Sequence, residues 1–297
     1  MSDTTAVATD ACRRQAGVSP IWLRAGFGVP VVLCLALIGL NGILVLRPTL
    51  YDGILNPFVV RGAASHFSGA EHRIHDLGFA VVFAVSALGL LAQLRSPARY
   101  LSGQIQAIIP WAAMAAMYQI TEGFDFPARY PKTATLVYGG LTISALLLHP
   151  AARRLPHELR PSRLDRRLVA LTGIAALPQL VFAATNLDLQ AGELPQDIHW
   201  LTGHYGHMFT YAATSLALAL LASLQPTGWR LTAWTAAALP IALGVMSVLY
   251  PDSESGLALP FALAAIAWGV AFAAAAERRH RQTSAPTGIT ARHEAPA

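Results

Sequence analysis

The chain has 297 residues, of which 54% are hydrophobic and only 12% are charged, and its mean hydropathy is +0.46. About a quarter of the residues of a soluble domain carry charge, so this composition excludes an ordinary soluble protein and indicates a membrane protein. The formal charge of +5 and the pI near 9.6 do not indicate nucleic-acid binding, because basic residues in polytopic proteins accumulate in cytoplasmic loops. Cys12 and Cys34 form no CxxC pair and predict no disulfide framework.

The first 21 residues are polar, and the apolar run behind them is too long for a signal-peptide core and has no cleavage site after it. We interpret this run as a retained first membrane helix. Further stretches near the 20 residues needed to cross a bilayer follow it, which predicts an all-α polytopic membrane protein with eight transmembrane helices. The predicted helices cover 22–46, 73–94, 101–121, 133–150, 168–187, 205–224, 231–250 and 256–276, and residues 277–297 form a disordered tail.

The distribution of charge predicts how these helices cross the membrane. Sixteen of the 21 basic residues fall in the two tails, beside the N-terminal tail, or in the connections after helices 2, 4 and 6. The opposite connections carry ten of the sixteen acidic residues. The positive-inside rule therefore predicts a plasma (inner) membrane protein with both termini in the cytoplasm.

Histidines cluster twice at the start of a long apolar run, in HFSGAEHRIH and HWLTGHYGH. Each cluster ends in an HxxH pair. Side chains three residues apart share a face of a helix, with roughly 5–6 Å between their Cβ atoms, so two imidazoles can address one ligand. The predicted topology puts all six histidines on the extracytoplasmic side, and they are His66, His72, His75, His199, His204 and His207.

The two clusters also have matching positions along the chain. His72 and His204, His75 and His207, and Glu122 and Glu254 are each separated by 132 residues. We therefore predict two parallel four-helix repeats, 22–150 and 168–276, related by an axis along the membrane normal. The basic segment 151–167 is then the cytoplasmic linker between them.

Six histidines with two carboxylates at one level predict a metal site. Neutral imidazole is the commonest metal ligand, and a set rich in imidazole suits Zn, Cu or Fe better than Mg or Ca. We predict that the histidines are ligands, that Glu122 and Glu254 are further ligands or general bases, and that Asp76 orients a histidine. A haem held between two helices, by His72 with His204 or His75 with His207, is the less favoured cofactor.

These features favour a metal-dependent membrane enzyme, such as an oxidoreductase, acting on a lipophilic substrate that approaches beneath the long outer loop 47–71. Two alternatives stay open: a transporter or metal-handling permease, and a noncatalytic scaffold that responds to pH through its histidines. Ionic transport has little support, since the helices carry no charged residue near mid-depth. The chain contains no GxSxG, Walker or HExxH motif, and its Arg/Ala bias is typical of high-GC bacteria.

Overall fold

The computed structural model describes residues 21–46, 73–121, 129–192, 199–200 and 203–284. Within these ranges the chain contains helices, turns and loops and no strand, which confirms the all-α prediction. His66, His72 and Glu122 lie outside the described residues. The eight long helices are α1 (Ile21–Leu46), α2 (Arg73–Arg95), α3 (Leu101–Ile120), α4 (Arg129–Leu147), α5 (Arg166–Ala191), α6 (His204–Ser223), α7 (Trp229–Leu249) and α8 (Leu259–Ser284).

Several of these helices are long and apolar enough to cross a membrane. In the described part of the chain four segments qualify by length and composition, in α2, α5, α7 and α8. A fifth is formed if α4 and the helical turns after it, which bend by 82°, count as one broken span. The helices α3 and α6, which do not qualify, carry buried polar side chains such as Gln104, Gln106 and His207.

Large apolar side chains cover the outside of the bundle. Leu136 on α4, Ile174 and Leu177 on α5, and Phe261 on α8 are each more than 60% exposed. Exposed apolar faces of this kind, on helices of this length, are what a bilayer would cover. The chain is therefore a helical protein whose apolar helices suit a membrane.

The helices of the two halves have the same principal neighbours. In the first half α1 and α3 each pack against α2 and α4, and in the second half α5 and α7 each pack against α6 and α8. Between the halves, α2 and α3 each pack against α6 and α7. Exchanging α1–α4 for α5–α8 leaves this set of pairs unchanged.

Small residues allow the closest helix contacts in the second half. A Cβ atom at Gly269 of α8 would lie 2.5 Å from the carbonyl oxygen of Ala237 on α7, and one at Gly244 of α7 would overlap the carbonyl oxygen of Ala262 on α8. Packing of this kind, with backbones in close approach, is the main source of helix association in lipid. It fixes α7 against α8.

The segment between the halves is ordered by polar contacts with the α6–α7 turn. The Glu158 carboxylate accepts hydrogen bonds from the backbone N–H and the hydroxyl of Thr227, at 2.9 and 3.0 Å, and pairs with Arg163 at 2.6 Å. Burial alone would raise the pKa of Glu158, but the bonds from Thr227 and the Arg163 charge outweigh it and lower that pKa. The linker is thus attached to the second half through an ionised carboxylate.

The C-terminal end of α8 extends further than the apolar pattern predicts. The helix continues to Ser284, eight residues into the stretch 277–297 that the sequence assigns to a tail. Glu277 there accepts hydrogen bonds from Arg230 and Trp234 of α7, and Arg279 pairs with Asp165 at 3.2 Å. These polar contacts, which hydropathy does not register, support the last two turns.

Candidate functional site

Three histidines from separate parts of the chain meet where α2 and α6 begin. His75 lies in the first turn of α2, His204 begins α6, and His199 lies just before α6. The ring centroids of His75 and His199 are 4.5 Å apart, and His204 lies 5.8 Å from each of them. One ring nitrogen of each lies within 4.8 Å of the other two. We call this group the histidine triad, and this end of the bundle the histidine end.

The triad is shielded from solvent. His75 is 1% exposed, His204 is 6% exposed and His199 is half-buried. The ring of Tyr205 meets His75 edge-on at 5.4 Å. A neutral imidazole has one ring nitrogen with a free lone pair, which is the form that binds a metal.

A hydrogen-bond relay sets the orientation of His75. Its Nε2 lies 2.8 Å from the Ser255 hydroxyl, which donates at 2.7 Å to Oδ1 of Asn186. The Asn186 amide is itself directed by its bond to the Phe182 carbonyl. Because the hydroxyl has one proton and gives it to Asn186, its oxygen accepts from Nε2–H of His75. The lone pair of His75 is then on Nδ1, and metal-binding histidines are oriented in this way by a bond from their other nitrogen.

A buried glutamine ties the turn around His199 to α5 and α6. Gln190 donates to the carbonyl of Trp200 at 3.0 Å and receives a bond from the Trp200 indole at 2.8 Å on its own carbonyl. Its side-chain oxygen accepts the Gly206 N–H of α6 at 3.0 Å. Gly203, at φ +80°, supplies the left-handed residue that starts α6. The third histidine is therefore positioned by the end of α5.

His207 lies beside the triad rather than within it. Its ring centroid is 6.0 Å from that of His204, and Phe79 meets it edge-on at 5.2 Å. It is 2% exposed, and its Nδ1 has no hydrogen-bond partner among the described residues. The HxxH pair of α6 thus gives one imidazole to the triad and one a turn further along the helix.

The two predicted acidic partners that the structure describes lie at the edge of this cluster. Glu254 is exposed and accepts a hydrogen bond from the hydroxyl of Tyr205. It therefore reaches the triad through the Tyr205 ring. Asp76 pairs with Arg73 on its own helix at 3.4 Å, so its carboxylate faces the helix start.

A cavity of about 720 Å³ lies next to the triad, between α5, α6, α7 and α8. Its wall is apolar along most of its length, from Ile174 and Leu177 to Phe261. Its polar end contains Asn186 and Ser255, the relay that holds His75, together with Glu254. The triad and the cavity therefore share one wall.

No pattern in the sequence pointed to Ser255, Gln190 or Asn186 as part of the site. Ser255 directly follows the predicted site residue Glu254 in the sequence. That adjacency was the available signal. The partners of the Gln190 side chain are backbone groups, and backbone groups leave no pattern in a sequence.

The triad fits a transition metal in donor type and number. In a tetrahedral site with metal–nitrogen bonds of about 2.0–2.1 Å, ligand nitrogens lie about 3.4 Å apart. The nitrogens here lie within 4.8 Å of one another. Side-chain rotations that move each nitrogen by about 1 Å would therefore bring all three to one ion. Three imidazoles suit Zn, Cu or Fe, and three protein ligands leave one position open for chemistry.

Comparison of the chain with known protein families, with characterised proteins and with solved structures finds no match. The class defined by the fold and the cluster is therefore a helical protein with apolar helices long enough to cross a membrane and a buried group of histidines at one end.

Proposed function

We propose that this chain is a multi-pass membrane enzyme that binds a transition metal at His75, His199 and His204 and acts on a lipophilic substrate. The observation that carries the proposal is the convergence of three imidazole nitrogens within 4.8 Å, in which His75 meets His199 and His204 from 124 and 129 residues further along the chain. The relay through Ser255 supports it, since a hydrogen bond at one ring nitrogen orients a histidine that binds metal through the other.

The proposed setting is a plasma membrane, with eight spans, both termini in the cytoplasm and the histidine end outside. The apolar outer faces of the helices and the excess of basic residues at the opposite end support it. The identical neighbours of α1–α4 and α5–α8 support the tandem repeat. In that repeat, α2 and α6 contact each other beside the proposed axis, so a ligand from each reaches a common site.

The neighbouring residues suggest the division of labour in such an enzyme. The metal would supply Lewis-acid or redox chemistry at its open position. Tyr205 contacts His75 and donates its hydroxyl proton to a hydrogen bond with Glu254. Glu254 is exposed, so it is placed to exchange protons with solvent, while Tyr205 links it to the buried cluster.

Metal analysis of the purified full-length protein tests the proposal. After loading with Zn and dialysis, we expect one ion per chain in the wild type and in His157→Ala, whose histidine is exposed and far from the triad in sequence. We expect less than a fifth of that Zn content in His75→Ala and His204→Ala. Absorption spectra of the protein as purified will show whether Cu, Fe or haem copurifies. Absence of stoichiometric metal from the wild type would overturn the proposal and favour the scaffold that responds to pH. So would full occupancy in both triad variants.

A metal-handling permease is the second candidate, and the position of His207 favours it. That imidazole continues the triad one helical turn along α6, as a second station for an ion would. Uptake of Zn into proteoliposomes separates the two candidates. A permease predicts uptake that His207→Ala reduces without loss of bound metal at the triad, whereas the proposed enzyme predicts no uptake above empty vesicles.

A further inference from the structure

We propose that the cavity between α5, α6, α7 and α8 binds one neutral lipid whose apolar body carries a hydroxyl group, with that hydroxyl at the Glu254–Ser255 end. This inference deepens the proposed function, on which it rests for its link to catalysis, by naming the class of substrate. The cavity can nevertheless be occupied whether or not a metal is bound beside it.

The dimensions of the cavity suit a small lipid. Its volume of about 720 Å³ falls within the range of about 300–1,000 Å³ found for small-molecule sites. Its lining extends along α5 from Ile174 to Asn186. These two residues are twelve positions apart, which corresponds to about 18 Å along the helix axis. An elongated apolar body therefore fits along α5.

The rim of the cavity provides a route from the bilayer. Ile174, Leu177 and Val181 on α5 and Phe261 on α8 line it, and they are exposed by 68, 71, 57 and 63%. These side chains would contact lipid in the proposed membrane setting. A lipophilic molecule can therefore pass between α5 and α8 without crossing water.

The charges around the cavity exclude an anionic headgroup. Its lining contains no Lys or Arg within the described residues, and its one carboxylate is Glu254. A phosphate would meet carboxylate repulsion with no cation to offset it. A hydroxyl, in contrast, can donate a hydrogen bond to Glu254, which retains acceptor sites beyond the one used by Tyr205.

Two polar atoms in the wall call for a ligand with hydrogen-bonding capacity. Ser215 is 2% exposed, and its Oγ has no hydrogen-bond partner among the described residues. The same is true of Oε1 of Gln179, and both residues line the cavity. Buried polar groups are almost always paired in folded proteins, so a ligand in this cavity would lie against two atoms that can each form a further hydrogen bond.

The first half of the chain shows what the same space looks like when it is filled. The residues 132 positions before Ser215 and Leu243 are Phe83 and Trp111. Phe83 meets Trp111 edge-on at 5.4 Å, and Trp111 stacks on Tyr138 at 4.8 Å. Three aromatic rings thus occupy the space between helices α2, α3 and α4, where the second half has its cavity.

Photolabelling of the full-length protein in nanodiscs, with a hexadecanol that carries a diazirine, tests the inference. We expect labels on 174–186 and 254–265, displaced by unlabelled hexadecanol about tenfold better than by hexadecane or hexadecyl phosphate. Ser215→Phe, which copies the first half, should lower labelling at least tenfold, and Ser215→Ala by about fivefold or less. Leu136→Phe adds bulk at an exposed site on α4 and should leave labelling unchanged.

Three results would overturn the inference: equal labelling of wild type and Ser215→Phe, labels spread equally over the outer faces of α1 and α4, or equal displacement by hexadecyl phosphate. If Ser215→Phe does not fold, Ala265→Leu on the opposite wall carries the same prediction. Metal content measured on the same samples keeps the two proposals apart. His204→Ala should lose metal and keep the label, while Ser215→Phe should keep metal and lose the label.

Discussion

The two halves of this bundle differ most in the space enclosed by each set of four helices. In the first half Phe83, Trp111 and Tyr138 form a packed aromatic cluster with Phe27 and Val31 of α1. In the second half a cavity of about 720 Å³ lies between α5, α6, α7 and α8. The helices have the same neighbours in both halves, so under the proposed repeat the difference would arise from side-chain size rather than from the arrangement of helices.

The comparison indicates a division of roles between the halves. The filled half has the packing density of a structural core, in which removal of a large side chain leaves a void. The open half gives up that packing, and its polar wall holds the Ser255–Asn186 relay to His75. In the proposed enzyme, this gap beside a cluster of metal-type ligands would be the place where the substrate binds.

Exchanging residues between the halves should have the largest effect on stability. Trp111→Leu places in the first half the residue found 132 positions later, and it should cost about 2–4 kcal/mol because it leaves a cavity. Leu243→Trp, the reciprocal change, should cost less than about 1 kcal/mol because space is already present. Unfolding in mixed SDS–detergent micelles measures both. Equal losses of stability in the two variants would show that the second half has no open space at Leu243.

Breaking the relay should weaken the metal site without removing a ligand. Asn186→Leu leaves the Ser255 hydroxyl without its acceptor, which frees His75 to adopt the wrong tautomer. Loss of such a partner typically lowers metal affinity 10–100-fold, and competition with a chelator measures it. Thr185→Val is the matched control, since the Thr185 hydroxyl bonds only the Val181 carbonyl of its own helix. An unchanged metal affinity in Asn186→Leu would show that the relay in the cavity wall does not influence the triad.

The junction between the halves should give the smallest effect, and one that depends on pH. The pKa of Glu158 is lowered in the folded protein, so the unfolded chain binds the proton more readily. The stability from this carboxylate is therefore complete above the ordinary glutamate pKa of about 4.3 and is lost as pH falls through the lower folded pKa.

Glu158→Gln tests that assignment. It should cost about 1 kcal/mol at pH 7 and should flatten the fall in stability between about pH 5 and pH 3. Glu277 forms an ion pair with an arginine that is half exposed. Glu277→Gln should therefore have a smaller effect on the stability at pH 7 and on its pH dependence. A wild-type stability that rises on acidification through this range would contradict the assigned role of Glu158.

Much of this architecture was accessible from the sequence, because hydropathy and spacing record which residues are apolar and where helices begin. The eight predicted segments correspond to eight long helices in the described part of the chain, of which four or five suit a span. His75 could be matched with His207, 132 residues later, because α2 and α6 begin at nearly corresponding points. The helix ends that depend on polar contacts, such as the end of α8 at Ser284, could not be predicted. Ion pairs between distant helices have no local signature in the sequence.

The site was harder to predict for the same reason. A triad that takes His199 in place of His207 depends on how the turn before α6 is held, and Gln190 holds it by backbone contacts. The cavity depends on Ser215 and Leu243 being small where Phe83 and Trp111 are large, and its meaning emerges only when the two halves are compared. Asp76 pairs with Arg73 on its own helix, and its predicted role in orienting a histidine stays a prediction.

X-ray absorption spectroscopy on the metal-loaded protein tests the central claim most directly. For Zn at the triad we expect a first shell of about three nitrogen ligands at about 2.0–2.1 Å with the outer-shell pattern of imidazole, and a fourth light atom. His75→Ala and His204→Ala should lose that pattern, while His157→Ala keeps it. A first shell of oxygen or sulfur alone, or an imidazole pattern unchanged in both triad variants, would contradict the account.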